Sequence, residues 1–118
     1  MERIEKQMQF ILEIDKEKQI KRKTLQSNGK DFEDDAQHAW HMAIMTLLLS
    51  EYSNEKIDVL KTISMLLIHD LVEIDAGDTY AYDDQGLKVQ NERENLAANR
   101  IFNLLPETSS VNPSAFSF

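Results

Sequence analysis

Two long apolar segments, separated by a short polar break, constrain the fold of this chain most strongly. Apolar side chains lie on nearly every side of residues 36–49, and the pattern repeats over residues 57–72. Segments of this length and character are typical of buried α-helices. Because the break at Ser53 and Asn54 is short, we expect the two helices to run antiparallel and to form the centre of an all-α helical bundle.

Amphipathic segments flank this predicted helical hairpin. Ile4, Met8 and Ile11 recur at helical spacing near the N-terminus, and residues 88–105 carry apolar side chains along one side until Pro106. We therefore expect a first helix that ends near a basic run at residues 16–23 and a fourth helix over residues 88–105.

Two intervening segments predict loops. Ser27, Asn28 and Gly29 are turn residues, and the aspartates that follow offer N-caps for a second helix that begins near residue 34. Residues 76–86 contain two glycines and three aspartates, and a loop of this length can line a site.

Length and charge narrow the classes of function. The chain of 118 residues fits one domain, and its net charge of −8 repels the phosphates of a nucleic acid. The N-terminal residues lack the apolar centre of a signal peptide, and no apolar stretch matches the length of a membrane span. We therefore expect a cytoplasmic protein with no nucleic-acid or membrane partner.

The composition changes near the C-terminus. All 13 basic and 21 acidic side chains lie within residues 1–107, and residues 108–118 contain none. We predict a helical core over residues 1–107 and an atypical uncharged tail over residues 108–118. The tail is interpreted either as an ordinary chain end or as a segment unrelated to the core.

Two histidines and an aspartate are candidate metal ligands. His38 lies fifteen residues before Ser53 and His69 fifteen residues after Asn54, so both are expected about 22 Å from the turn of the hairpin. Asp70 adds a carboxylate beside His69, and this donor set suits a divalent metal ion. A buried ion pair between His69 and Asp70 is the alternative interpretation.

Other polar residues are placed to act beside such a metal. Glu73 follows His69 by four residues, which puts both on one side of a helix and makes Glu73 a candidate for proton transfer. Asp78 and Thr79 follow Gly77 in the predicted loop and are the expected contacts to a substrate.

Together these positions resemble those of a known family. The chain contains the motifs Asp35-x-x-His38, His69-Asp70 and Glu73-x-x-x-Gly77-Asp78. They look like the motifs of the HD-domain metal-dependent phosphohydrolases, in particular the branch of bacterial 5′-deoxynucleotidases. The resemblance covers about residues 5–107, and its most specific part is the continuous string over residues 69–78.

The resemblance implies an HD-domain helical bundle that hydrolyses nucleoside 5′-monophosphates, with deoxynucleotides as the expected substrates. It implies one divalent metal ion, such as manganese, cobalt, zinc or iron, held by His38, His69, Asp70 and a further aspartate. A homodimer is also expected from it.

Three more residues take roles from the same resemblance. Glu73 and Asp78 match family positions tied to catalysis or to substrate contact. Arg22, at the end of the predicted first helix, matches an arginine that contacts the substrate phosphate, for which the forked donors of a guanidinium are suited.

The chain departs from the family pattern at the last metal ligand. In the family this aspartate lies downstream of a stretch that matches residues 104–107, and here unrelated residues follow from Thr108. Three protein ligands can hold a catalytic metal ion when water fills the open positions. The alternative is an inactive or metal-binding remnant of the HD fold, and the third interpretation is a purely structural helical module.

Overall fold

A computed structural model describes residues 1–77, 84–109 and 111 of the chain. In chain order the helices and strands are α1 (Arg3–Ile14), β1 (Lys21–Leu25), β2 (Phe32–Asp34), α2 (Asp35–Leu49), α3 (Val59–His69), α4 (Glu73–Ala76) and α5 (Asp84–Phe102). Short 3₁₀-helices extend α1 over Asp15–Gln19, α2 over Ser50–Tyr52 and α3 over Asp70–Val72. The predicted all-α fold class is confirmed, because helices dominate and the strands are short.

A small antiparallel hairpin, β1 with β2, interrupts the helices and was not predicted. Its register pairs Lys21 with Asp34 and Leu25 with Phe32, across a turn in which Gly29 has a φ of +71°. Strands this short and polar lack the alternating apolar pattern that identifies a half-buried strand. The hairpin places Arg22 on β1, so its predicted position at the end of the first helix is wrong.

The start of α2 near residue 34 is confirmed by a capping box. The Asp34 carboxylate accepts a hydrogen bond from the backbone N–H of Gln37 at 2.8 Å, and the Gln37 side chain accepts one from the Asp34 N–H at 3.0 Å. The predicted cap of α3 at Ser53 and Asn54 is wrong, since Asp58 caps that helix through the Lys61 N–H. The connection between α2 and α3 is therefore longer than expected.

The core lies between α1, α5 and the segment from the end of α3 through α4. Phe10 of α1 contacts Phe102 of α5, with ring centroids 6.1 Å apart. The remaining core residues are Ile68, Leu71, Ala76, Ala97, Ile101 and Leu105. The packing of these elements holds the C-terminal end of α3 in place, and His69 and Asp70 lie at that end.

The expectation that α2 is buried on all sides is wrong. Helix α2 packs against α3, yet its only buried apolar residues are Ala39 and Ala43. Large side chains on its other sides are exposed, among them Trp40 at 63% and Leu48 at 69%. The physical reason is that no third element covers the outer side of α2 within the described part of the chain.

Helix α5 begins before the predicted residue 88, so Gly86 belongs to this helix rather than to the predicted loop. Asp78 and Thr79, the expected substrate contacts, lie outside the described residues.

Near the C-terminus, the Arg3 guanidinium donates a 2.7 Å hydrogen bond to the Thr108 hydroxyl, and Ser109 is buried. Among the described helices, none combines the length and the apolar character needed to cross a membrane.

Candidate active site

The Arg22 guanidinium lies among three carboxylates, one at the start of α2 and two in the segment that follows α3. Its Nη1 atom is 3.1 Å from Oδ1 of Asp35, 3.6 Å from Oδ2 of Asp70 and 3.8 Å from Oε2 of Glu73. The side chains of Asp70 and Glu73 are each 13% exposed, so these charges are only partly screened by water. The structure thus brings together the predicted phosphate-binding, metal-binding and proton-transfer residues Arg22, Asp70 and Glu73.

Local backbone structure explains why these side chains meet. After α3 ends at His69, the chain tightens into a 3₁₀-turn, and the Glu73 N–H donates to the carbonyl oxygens of Asp70 and Leu71. Gly77 then ends α4 with a φ of +74°, and its N–H donates to the Glu73 carbonyl at 2.8 Å. A positive φ is readily adopted only by glycine. This segment therefore presents Asp70 and Glu73 towards the same guanidinium.

Asp35 is the carboxylate that sequence reasoning missed as a partner of Arg22. It is the first residue of α2 and its side chain is completely buried. Burial raises the pKa of Asp35, while hydrogen bonds with Glu73 and Arg22 act in the opposite direction. The pairing with Arg22 joins residues thirteen positions apart, and no local sequence signal predicts it.

His69 and Asp70 contact each other directly. His69 Nδ1 is 3.1 Å from Asp70 Oδ1, and this hydrogen bond raises the pKa of His69. Burial raises the pKa of Asp70, but the hydrogen bond with His69 and the charges of His69, Arg22 and His38 outweigh it, so the pKa falls below its ordinary value. Asp70 is therefore ionised at neutral pH and can attract a cation.

His38 is held by a carboxylate that the sequence did not single out. His38 Nδ1 lies 2.8 Å from Oε1 of Glu33, which directs the second ring nitrogen, Nε2, away from this contact. A carboxylate that fixes one nitrogen of a histidine is a common arrangement around metal ligands. The charge of His38 contributes to the low pKa of Asp70, so the two side chains are close enough to interact electrostatically.

The donor types fit a divalent metal ion, since two imidazoles and an ionised carboxylate are available. Within the described ranges, however, no group of three His, Cys, Asp or Glu side chains is arranged to hold one. His69 and Asp70 are in contact, whereas His38 is paired with Glu33. The assignment of His38, His69 and Asp70 as ligands therefore stays a prediction.

Comparisons with known proteins identify the family. Residues 14–115 match the family described as HD domain, which is most of the chain. The chain belongs to the HD domain family. A solved structure described as a predicted metal-dependent phosphohydrolase from Magnetospirillum magnetotacticum MS-1 is 46% identical to it, with a TM-score of 0.85. The match covers 97% of this chain and 57% of that relative, and no curated protein matches the chain.

Two residues of this HD domain near the predicted site positions make other contacts. His41, one helical turn after His38, is exposed, and its ring stacks on Trp40 with centroids 6.0 Å apart. Asp75, within the string over residues 69–78, accepts hydrogen bonds from Arg100 at 2.5 and 2.9 Å. The first contact is a ring stack on the surface and the second is an ion pair between α4 and α5.

Glu17 is a buried carboxyl group behind the HD domain's candidate site. It is 8% exposed, and no hydrogen-bond partner is found for its Oε1 atom among the described residues. Burial and the charges of Asp35 and Asp70 raise its pKa to about 7. Glu17 also lines an otherwise mainly apolar cavity of about 790 Å³ between α1 and α3. Its burial was not predicted, because Glu17 lies within the basic run at residues 16–23.

Proposed function

We propose that this chain is a metal-dependent phosphohydrolase of the 5′-deoxynucleotidase type, which hydrolyses nucleoside 5′-monophosphates in the cytoplasm. The observation that carries the proposal is the placement of Arg22 between Asp70 and Glu73. A candidate phosphate-binding cation, a candidate metal ligand and a candidate proton carrier thereby share one small region. The solved relative, described as a predicted metal-dependent phosphohydrolase, supports the same class of reaction.

In this proposal His38, His69 and Asp70 hold one divalent metal ion, such as manganese, cobalt, zinc or iron. Such an ion lowers the pKa of water and neutralises charge on the phosphate. Because the pKa of His69 is raised by Asp70, metal binding displaces a proton from the imidazole and is favoured as the pH rises.

The chain's own residues account for the remaining requirements of hydrolysis. Water adds across the phosphorus–oxygen ester bond, so one proton must leave the attacking water and one must reach the departing oxygen. Glu73 takes the proton from the attacking water and passes it to the departing oxygen, and Arg22 neutralises the phosphate oxygens through its forked N–H groups. Asp78 and Thr79 are proposed to contact the substrate from the adjacent loop.

A second copy of the chain is the proposed partner. The exposed apolar side chains of α2, such as Trp40 and Leu48, form a surface of the kind that marks protein interfaces. We propose that this surface is covered in a homodimer.

The first experiment measures phosphate release from deoxynucleoside and ribonucleoside monophosphates, with manganese, cobalt or zinc added. We expect metal-dependent turnover that a chelator abolishes and that Asp70→Ala and Glu73→Gln reduce by about a hundredfold or more. Glu92→Gln makes the same chemical change as Glu73→Gln on the exposed side of α5 and should leave turnover unchanged. Turnover that persists in Asp70→Ala would contradict the proposed site.

The second candidate is a metal-binding or inactive remnant of the HD fold. It is favoured by the observation that no three ligand side chains form a metal-binding group in the described part of the chain. This candidate predicts no phosphate release with any of the metals, whether or not a metal ion stays bound after dialysis. The third interpretation, a purely structural module, predicts that a chelator has no effect on the unfolding midpoint.

A further inference from the structure

We propose that Asp35 is a positioning residue that fixes the Arg22 guanidinium for phosphate binding, an inference that rests on the proposed function. Asp35 Oδ1 accepts the hydrogen bond from Arg22 Nη1 at 3.1 Å, the shortest of the three carboxylate distances around that atom. Asp35 is completely buried, whereas Asp70 and Glu73 remain partly exposed. Its contact is therefore the one that solvent and substrate reach least.

The helix cap does not need the Asp35 side chain. Asp34 caps α2 through Gln37, which leaves the next carboxylate to point at β1. The backbone provides a second link, because the Asp35 N–H donates to the Ile20 carbonyl at 2.9 Å, two residues before Arg22. Backbone and side chain together hold the first turn of α2 against the strand that carries the arginine.

The three carboxylates have different tasks when phosphate is present. Asp70 is a candidate metal ligand and Glu73 a candidate proton carrier, so their interactions with Arg22 change when a metal ion and a phosphate bind. Asp35 is in neither group, and its contact with Nη1 can persist throughout. A planar guanidinium held at one nitrogen keeps its other donors in a fixed direction. We infer that Asp35 sets the direction from which Arg22 approaches a phosphate monoester.

The test uses Asp35→Asn, which keeps the shape of the side chain and an oxygen acceptor but removes the charge. The matched control is Asp34→Asn, a neighbouring buried aspartate whose capping role asparagine preserves. The readouts are the KM and kcat for a deoxynucleoside monophosphate and the Kd for inorganic phosphate measured by calorimetry. We expect Asp35→Asn to raise KM and the phosphate Kd by about tenfold, as for loss of a charge-assisted hydrogen bond, with little change in kcat.

The same substitution is then made in the Arg22→Ala background. If Asp35 acts through the arginine, Asp35→Asn raises the phosphate Kd no further there. The inference is overturned if Asp35→Asn raises the phosphate Kd equally in the wild-type and Arg22→Ala backgrounds. It is also overturned if Asp35→Asn alone leaves the phosphate Kd unchanged. Should Asp35→Asn fail to fold in a urea titration, Asp35→Ser provides a smaller uncharged acceptor for the same cycle.

Failure of the inference is distinguishable from failure of the proposed function. A wild-type chain that binds inorganic phosphate while Asp35→Asn binds it equally well overturns only the role of Asp35. A wild-type chain that neither turns over substrate nor binds inorganic phosphate overturns the proposed function and the role of Asp35 with it.

Discussion

Two buried carboxyl groups, Asp35 and Glu17, differ in how their charge is compensated. Asp35 accepts a hydrogen bond from the Arg22 guanidinium, whereas Glu17 faces apolar side chains and the negative charges of Asp35 and Asp70. A buried carboxylate without a compensating partner destabilises the folded state, and its pKa rises until it is protonated. Burial raises the pKa of both groups, but the Arg22 guanidinium opposes the rise for Asp35, whereas the pKa of Glu17 reaches about 7.

Replacing Glu17 with glutamine should stabilise the protein in a pH-dependent way. Its pKa of about 7 in the folded protein exceeds the ordinary value of 4.5, so ionisation above pH 4.5 costs stability, and the cost is complete above pH 7. We expect Glu17→Gln to raise the free energy of unfolding by about 2 kcal/mol at pH 8 and to have little effect at pH 4. Urea titrations at both pH values measure this difference.

The control for this prediction is Glu55→Gln, which removes the charge of an exposed glutamate in the connection between α2 and α3. The free energy of unfolding of that variant should equal that of the wild type at both pH values. If Glu17→Gln showed the same small difference at pH 8 as at pH 4, the raised pKa of Glu17 would be excluded.

At the scale of elements, the cap of α2 fixes where the helix begins and thereby places Asp35 beside β1. Asp34→Ala removes the side chain that accepts the Gln37 N–H, and the reciprocal half of the capping box loses its support. We expect a loss of about 1 kcal/mol in the free energy of unfolding. Asp34→Asn keeps an acceptor at the same position and should lose much less, and an equal loss in both variants in a urea titration would contradict the capping role.

Local signals at the start of α2 predicted its surroundings well, whereas the local signal at Ser53 and Asn54 gave a wrong cap for α3. The cap near residue 34 and the turn at residues 27–29 depend on neighbouring residues, and both are present. The β1–β2 hairpin was missed because its short polar strands carry no periodic pattern. The burial of Glu17 was missed for a different reason, since it depends on how the turn at Asp15–Gln19 packs against α2, α4 and β2, which a charged run at residues 16–23 does not indicate.

In the candidate site, too, residues close in sequence were easier to predict than residues that the fold brings together. His69, Asp70 and Glu73 are close in sequence, which predicts that they lie near one another, although α3 ends at His69 and a 3₁₀-turn separates it from Glu73. The partnership of Arg22 with Asp35 and that of His38 with Glu33 depend on how β1, β2 and α2 fold together. Such contacts need the three-dimensional structure, because the residue types alone allow many other pairings.

At the scale of the whole molecule, the apolar surface of α2 is the feature that most needs a partner. Leu48 of α2 is 69% exposed, and Leu96 of α5 is 70% exposed. The two leucines form a matched pair that differs in surroundings, since Leu48 has the exposed Trp40, Ile44 and Leu47 on the same helix, whereas charged side chains lie one helical turn before and after Leu96. Burial of such a surface between two copies would release water from all of these side chains at once.

We expect the wild-type chain to be a dimer in light scattering coupled to size-exclusion chromatography, and Leu48→Lys to shift it towards the monomer. A buried ammonium group at an interface lacks the hydration it has in water, so the dissociation constant should rise by about a hundredfold or more. Leu96→Lys adds the same charge at an equally exposed position on α5 and should leave the dimer intact. Equal dissociation by both variants would show that net charge, rather than the surface of α2, controls assembly, and a monomeric wild-type chain would exclude the homodimer.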